Sequence, residues 1–306
     1  MRSQLNSLID VLSLDHRRGA AEIVEDAEVL FIEIARLGVK SPASAEPTFE
    51  RAVRRLAGGQ PSMAPVLNLL NRVCAVRELT DDDWPAFEAG IQSLTVTFRA
   101  LLDRMEARVG EIPQARETLL TFSNSSTVTR MITACRRVGW PQRVIVGEGR
   151  PILEGIAMAR KLTSAGIPVR LFTDAALMSR ITEADAVWVG GDSLSRNGLV
   201  NKVGSRALAM LAKQRNIPFI SLMASDKLLS PQMLPYFHLL KQNPREIAAD
   251  DAEGLDVVNE YYETLPLDIV THIFTEGGLS KPQKLVSQLE TEPVCELFKS
   301  LAVGSR

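Results

Sequence analysis

A single carboxylate, Asp192, closes the apolar run Ala186-Val-Trp-Val189 after two glycines, and Asn201-Lys202 follows ten residues later. An acid at the end of a buried strand is partly desolvated, which raises its pKa and suits it to proton transfer near neutrality. Lys202 offers a compact positive charge to a phosphate. The competing interpretation is an ordinary strand-to-helix connection whose aspartate is a turn residue. Three other turns carry similar groups. Ser123-Asn-Ser125-Ser126-Thr127 sets hydroxyls before a helix-like run, where they either cap the helix or join its free N–H groups in holding a phosphate. Gly147-Glu-Gly-Arg150-Pro151 combines glycines that let a backbone approach a ligand with an arginine that forks onto phosphate, or it is a surface turn. Thr173-Asp174 either caps the next helix or bonds a ligand hydroxyl.

The elements that must position these turns are alternating strands and helices. After Pro113, short apolar runs recur at 119–122, 143–146, 168–172, 186–189 and 218–222, separated by amphipathic segments such as 152–165 and 206–215. That rhythm predicts a parallel sheet flanked by helices, with ligands at the carboxyl ends of its strands. All four turns then share one edge, which favours a phosphorylated small-molecule site. The segment between Asp192 and Asn201 reads as irregular. Neither a Walker loop nor a G-x-G-x-x-G fingerprint occurs. Residues 1–112 read as helix after helix, with Ile23, Ala27, Leu30, Phe31, Ile34 and Ala35 at helical spacing. Ser41-Pro42, Gly58-Gly59 and Pro61 punctuate them, and the acids 81–83 mark a further helix start. The expected fold class is α/β: an all-helical N-terminal domain, 1–112, then a Rossmann-like parallel-sheet domain, 113–306.

Composition excludes several classes. With 35 Lys+Arg against 37 Asp+Glu, no basic excess exists to hold nucleic acid. The arginine-rich spots (Arg17-Arg18, Arg51 to Arg55, Arg136-Arg137) read as solvated helix faces. Three scattered cysteines and three scattered histidines, His16 among them, give neither a disulfide framework nor metal-ligand spacing, so no metal and no cofactor are expected. No stretch of about 18 apolar residues or signal peptide is present, so the expectation is a cytoplasmic protein with no membrane association.

The ordered elements Thr121-Phe-Ser-Asn-Ser-Ser126, Gly147-Glu-Gly-Arg-Pro151, Phe172-Thr-Asp174, Val189-Gly-Gly-Asp192, Asn197-Gly198 and Asn201-Lys-Val-Gly-Ser205 resemble one superfamily. It holds the alpha, beta and delta subunits of eukaryotic translation initiation factor 2B together with isomerases of methylthioribose 1-phosphate and ribose 1,5-bisphosphate. Arg18-Gly-Ala20 and the segment Thr264 to Gly278 extend the resemblance over nearly the whole chain. It implies a helical domain before a Rossmann-like one. Asp192 matches the isomerases' catalytic aspartate, with Gly191 where they have alanine. Arg18, Gly19, Arg150, Asn201 and Lys202 match residues that hold the substrate and its phosphate. Ser125 and Ser126 join them as ligand-binding candidates.

The departure is Ser123, which stands where the isomerases carry a cysteine in Thr-His-Cys. A thiol, with a pKa near ~8.5, exchanges a proton near neutrality, whereas a serine needs a neighbouring base, and Phe122 supplies none. Cys135, far along the following helix, reads as a buried hydrophobe rather than a replacement. The favoured expectation is therefore an initiation factor 2B alpha-like regulatory protein that binds a phosphorylated sugar or nucleotide. Such a protein would act as a homodimer, with other initiation factor 2B-like subunits as possible partners. The alternative is an active aldose–ketose isomerase on a phosphorylated pentose that uses Asp192.

Overall fold

A computed structural model of the chain describes residues 2–15, 18–113, 117–248, 253–289 and 293–302. His16 and Arg17 lie outside these. In chain order the helices are α1 (Arg2–Leu14), α2 (Ala20–Lys40), α3 (Pro42–Gly59), α4 (Ala64–Thr80), α5 (Trp84–Ala107), α6 (Ser126–Arg136), α7 (Glu154–Ser164), α8 (Asp174–Met178), α9 (Ser205–Gln214), α10 (Pro282–Ser287) and α11 (Glu296–Ala302). The strands are β1 (Thr118–Thr121), β2 (Arg143–Gly147), β3 (Val169–Phe172), β4 (Ala186–Val189), β5 (Ser193–Ser195), β6 (Gly198–Lys202), β7 (Phe219–Leu222), β8 (Tyr262–Leu265), β9 (His272–Thr275) and β10 (Gly278–Ser280). The protein is thus α/β, with an N-terminal helical region and a mostly parallel central sheet.

Two compact units interleave along the chain. The first comprises Met1–Ala100, Asp226–His238 and Leu289–Arg306; the second comprises Leu101–Ser225 and Leu239–Gln288. The expected division, 1–112 and 113–306, is one of successive stretches. In the first unit the expected punctuation holds: α2 ends one residue before Ser41, α3 ends at Gly59, and Asp83 opens α5 by accepting the Ala86 N–H at 2.8 Å. The stripe from Ile23 to Ala35 on α2 is fully buried. It belongs to a core in which Phe49 meets Phe31 and Phe87 edge-on, with ring centroids 5.8 and 5.7 Å apart. Edge-to-face pairs of this kind add about 0.5–1.5 kcal/mol beyond area burial.

In the second unit seven strands run in the order β10-β9-β7-β4-β1-β2-β3, all parallel except β10. The strands β1, β4 and β7 are buried along their whole length, as short continuous apolar runs require of a sheet covered on both faces. Because β2 and β3 lie on one side of β1 and β4 on the other, strand order reverses between β1 and β4. Open α/β sheets bind ligands at that reversal, outside the carboxyl ends. The segment after Asp192 is not irregular. Ser193–Ser195 and Gly198–Lys202 form an antiparallel hairpin, extended by β8 into a second, three-stranded sheet. Among the described residues no helix is long and apolar enough to cross a membrane.

Candidate functional site

Ser123 follows β1, at the strand-order reversal, with a left-handed backbone, φ 67°. That conformation costs a non-glycine residue roughly 1–2 kcal/mol. Its hydroxyl donates to Glu154 Oε1 at 2.9 Å. Glu154 opens α7, directly after Leu153, which is also left-handed at φ 60°. The premise that Ser123 has no base beside it therefore fails. Phe122 supplies none, but a carboxylate from the next strand-to-helix turn does.

Glu154 also pairs with Lys202, whose Nζ lies 3.0 Å from the same Oε1. Both groups are enclosed, with side chains 4% exposed for Lys202 and 16% for Glu154. The ammonium lies 5.0 Å from the Tyr261 ring centroid, a cation–π contact. Lys202 ends β6 and stands in register with Tyr262 on β8. Burial drives the Tyr262 phenol far above its ordinary range, and the negative charges of Asp192 and Glu154 push it further, so it stays protonated. Both carboxylates thus act on one hydroxyl. Asp192 itself is half-buried, and its backbone N–H donates to the Val200 carbonyl at 2.8 Å across the hairpin.

The other candidates have different surroundings. Asn201 is buried and donates to Ser205 Oγ at 3.0 Å, tying β6 to the start of α9. Ser125 caps α6, accepting the Val128 N–H at 3.3 Å, and its Oγ lies against Gly190, where a Cβ would be 2.9 Å from it. Ser126 and Arg150 are exposed at the ends of β1 and β2. Arg18 and Gly19 belong to the first unit. Arg18 forks to Asp15 and Asp26, each at 2.6 Å, which holds its charge firmly, and Gly19 donates its N–H to Glu22 at 3.1 Å. Asp174 neither caps its helix nor stands free for a ligand hydroxyl. Its two oxygens accept the N–H groups of Gly149 and Arg150 at 2.9 and 2.7 Å, fixing the turn that delivers Glu154. Cys135 is buried on α6, its thiol pushed up to about 12 by desolvation, which agrees with an inert role.

Glu154 and Tyr262 escaped the sequence reading. An acid in the first turn of a helix is an ordinary complement to the helix dipole, so nothing local marked Glu154. The available signal was its position three residues beyond Arg150-Pro151, a motif already singled out.

Three buried polar atoms here have no hydrogen-bond partner: Glu154 Oε2, Thr121 Oγ1 and Ser193 Oγ. Buried polar groups are ordinarily paired, and leaving one unpaired costs about 1–3 kcal/mol. These atoms belong to α7, β1 and β5, and a free carboxylate oxygen beside two hydroxyls suits a ligand that itself carries hydroxyl groups. Among the described residues no group of three or more His, Cys, Asp or Glu could hold a metal ion.

Known proteins share this architecture. The chain is 29% identical over 278 residues to the ribose 1,5-bisphosphate isomerase of Archaeoglobus fulgidus, covering 87% of this chain and 86% of that one. It is 29% identical to the 5-deoxyribose 1-phosphate isomerase of Moorella thermoacetica, covering 87% and 82%. The methylthioribose-1-phosphate isomerase of Klebsiella pneumoniae is 31% identical over 69% of this chain and 64% of its own length. The crystal structure of the Pyrococcus horikoshii translation initiation factor eIF-2B superposes with a TM-score of 0.77 at 21% identity, over 92% of this chain and 98% of that one. The Pyrococcus horikoshii 5-methylthioribose 1-phosphate isomerase gives 0.74 at 21%, over 93% and 87%. Residues 17–282 match one family model over most of the chain, and the protein belongs to the Initiation factor 2 subunit family.

Proposed function

We propose that this protein is an aldose–ketose isomerase acting on a pentofuranose 1-phosphate. The observation that carries the proposal is the enclosed Ser123–Glu154–Lys202 cluster at the strand-order reversal, with Asp192 close enough to act on the same tyrosine. The three relatives named above are isomerases of sugars phosphorylated at C1, which supports the same substrate class here. Isomerisation moves one proton from C2 to C1 and another from O2 to O4. A base takes the C2 proton, C1=C2 forms, and the C1–O4 bond breaks as Asp192, a carboxylate at the start, takes the O2 proton and delivers it to O4. C1 is then protonated, and the ketose is complete. Lys202 offsets the negative charge gathered in the site.

The regulatory interpretation rested on a serine with no base beside it, and Glu154 removes that ground. We place the protein in the cytoplasm as a homodimer, with light scattering to return twice the 33.6 kDa chain mass. The deciding experiment incubates the purified protein with ribose 1,5-bisphosphate, methylthioribose 1-phosphate and 5-deoxyribose 1-phosphate and follows ketose formation by NMR. One of them is expected to be converted, and Asp192→Asn to lower kcat by about 10²–10⁴-fold. Stabilisation by a sugar phosphate with no conversion restores the regulatory reading.

A further inference from the structure

We propose that Ser123 and Glu154 form a single proton-transfer unit: Ser123 Oγ meets the sugar carbon, and Glu154 takes the hydroxyl proton from behind it. The inference rests on the isomerase reading and names how proton transfer proceeds without a thiol.

Three observations carry it. First, the Ser123 hydroxyl donates to Glu154 Oε1 at 2.9 Å, which leaves the oxygen's lone pairs free to accept. Second, beyond its ion pair with Lys202, Glu154 has no structural task. It opens α7, yet no backbone N–H of that helix donates to it, and its Oε2 is buried with no hydrogen-bond partner. Third, the arrangement is held under strain. Ser123 and Leu153, the residue that sets Glu154, both adopt left-handed backbone, while Gly149 leaves room for the Glu154 carboxyl group, which a Cβ there would meet at 2.8–3.1 Å. Strain of this kind persists where surrounding structure imposes it, and it concentrates at functional sites. Lys202, 3.0 Å away on the same Oε1, sets a cation beside the enclosed carboxylate.

The step balances without any outside reagent. As Ser123 Oγ takes the C2 proton, its own proton passes to Glu154. The C–H electron pair becomes C1=C2, and the C1–O4 pair leaves on O4, which is protonated by Asp192. On return, Glu154 gives its proton to Ser123 while Ser123 protonates C1. Glu154 thus acts through Ser123 and does not meet the sugar.

The test measures kcat and deuterium uptake from solvent at C1 with ribose 1,5-bisphosphate as probe, in the full chain. Variants are Ser123→Ala, Glu154→Gln, the double variant, Ser123→Cys and Ser123→Cys/Glu154→Gln. Thermal unfolding serves as the folding control. Ser123→Ala and Glu154→Gln are each expected to lose about 10²–10⁴-fold, and the double variant to lose no more than the worse single one. Ser123→Cys is expected to make Glu154 dispensable, because a thiol with a pKa near ~8.5 carries a proton unaided. A purely structural Glu154 could not be bypassed in this way. The proposal is overturned if Glu154→Gln keeps kcat within about threefold, if the two losses multiply, or if the cysteine fails to restore the Glu154→Gln protein. A wild-type protein that does not convert the probe removes the isomerase reading for this sugar and this proposal with it. Conversion that survives Glu154→Gln removes this proposal alone.

Discussion

Glu154 takes its role from partners outside its own helix: Ser123, which follows β1, and Lys202, which ends β6. Asp192, Asn201 and Lys202 stood out because polar groups at the end of apolar runs are conspicuous. Glu154 did not, because its meaning depends on the alignment of β1 with β2 and on the left-handed backbone at Ser123 and Leu153, neither of which leaves a local signature. Gly191 shows the same dependence. The reason a glycine stands there lies in its neighbours. A Cβ there would fall 2.7 Å from Met223 Sδ, 2.9 Å from Ser221 Oγ and 3.1 Å from Leu199 Cδ1. Ser221 cannot easily yield, since its hydroxyl donates to the Gly190 carbonyl at 2.8 Å. We therefore expect Gly191→Ala to destabilise the protein by about 1–3 kcal/mol, the usual cost of overpacking. Met223→Ala in the same chain is expected to recover part of that loss. Denaturant midpoints of the two single variants and the double variant check this, and additive losses would show that Met223 is not what excludes the alanine.

At the scale of elements, the parallel strands were legible because each is a short apolar run between helical segments, and β1, β2, β3, β4 and β7 all occur where expected. The hairpin was hidden because Ser193-Leu-Ser195 holds one apolar residue among hydroxyls, and its burial comes from β6 and β8 rather than from its own pattern. Two carboxylates fasten the site's turns, one from β8 and one from the first residue of α8. Glu263 on β8 accepts the N–H groups of Gly204 and Arg206 at 2.6 and 2.9 Å, at the start of α9. Asp174 does the same for Gly149 and Arg150. Hydrogen bonds to a charged acceptor contribute about 1.5–3 kcal/mol each, so Asp174→Ala removes the principal hold on residues 148–153. The expected result is faster hydrogen exchange at the Gly149 and Arg150 amides and a fall in kcat/KM through displacement of Glu154. Unchanged exchange at those two amides would show that the turn is held by other contacts.

At the scale of the whole molecule, the helical character of the first part was plain from its periodicity, but its completeness was not. The core built on α1 to α5 also takes in Leu229, Met233, Val294, Phe298 and Leu301, all nearly inaccessible to solvent and all from far later in the chain. Arg54 reinforces the return by donating to the Leu301 carbonyl at 3.2 Å. No helix-periodic pattern in residues 1–112 announces that part of its core lies elsewhere, because an apolar face looks the same whoever covers it. Burying those five contributes roughly 7–15 kcal/mol at about 1.5–3 kcal/mol each, comparable with the whole net stability of a typical domain. The isolated segment 1–112 is therefore expected to lack a cooperative unfolding transition even where it retains helical circular dichroism. In the full chain, Phe298→Ala is expected to cost about 3–5 kcal/mol, the loss typical of a buried phenylalanine. Its ring is fully enclosed and meets Tyr236, from the other returning segment, at 5.0 Å between centroids. Urea unfolding of both proteins checks this. A segment 1–112 that unfolds cooperatively with ordinary stability would mean that the late segments only cover a core already complete without them.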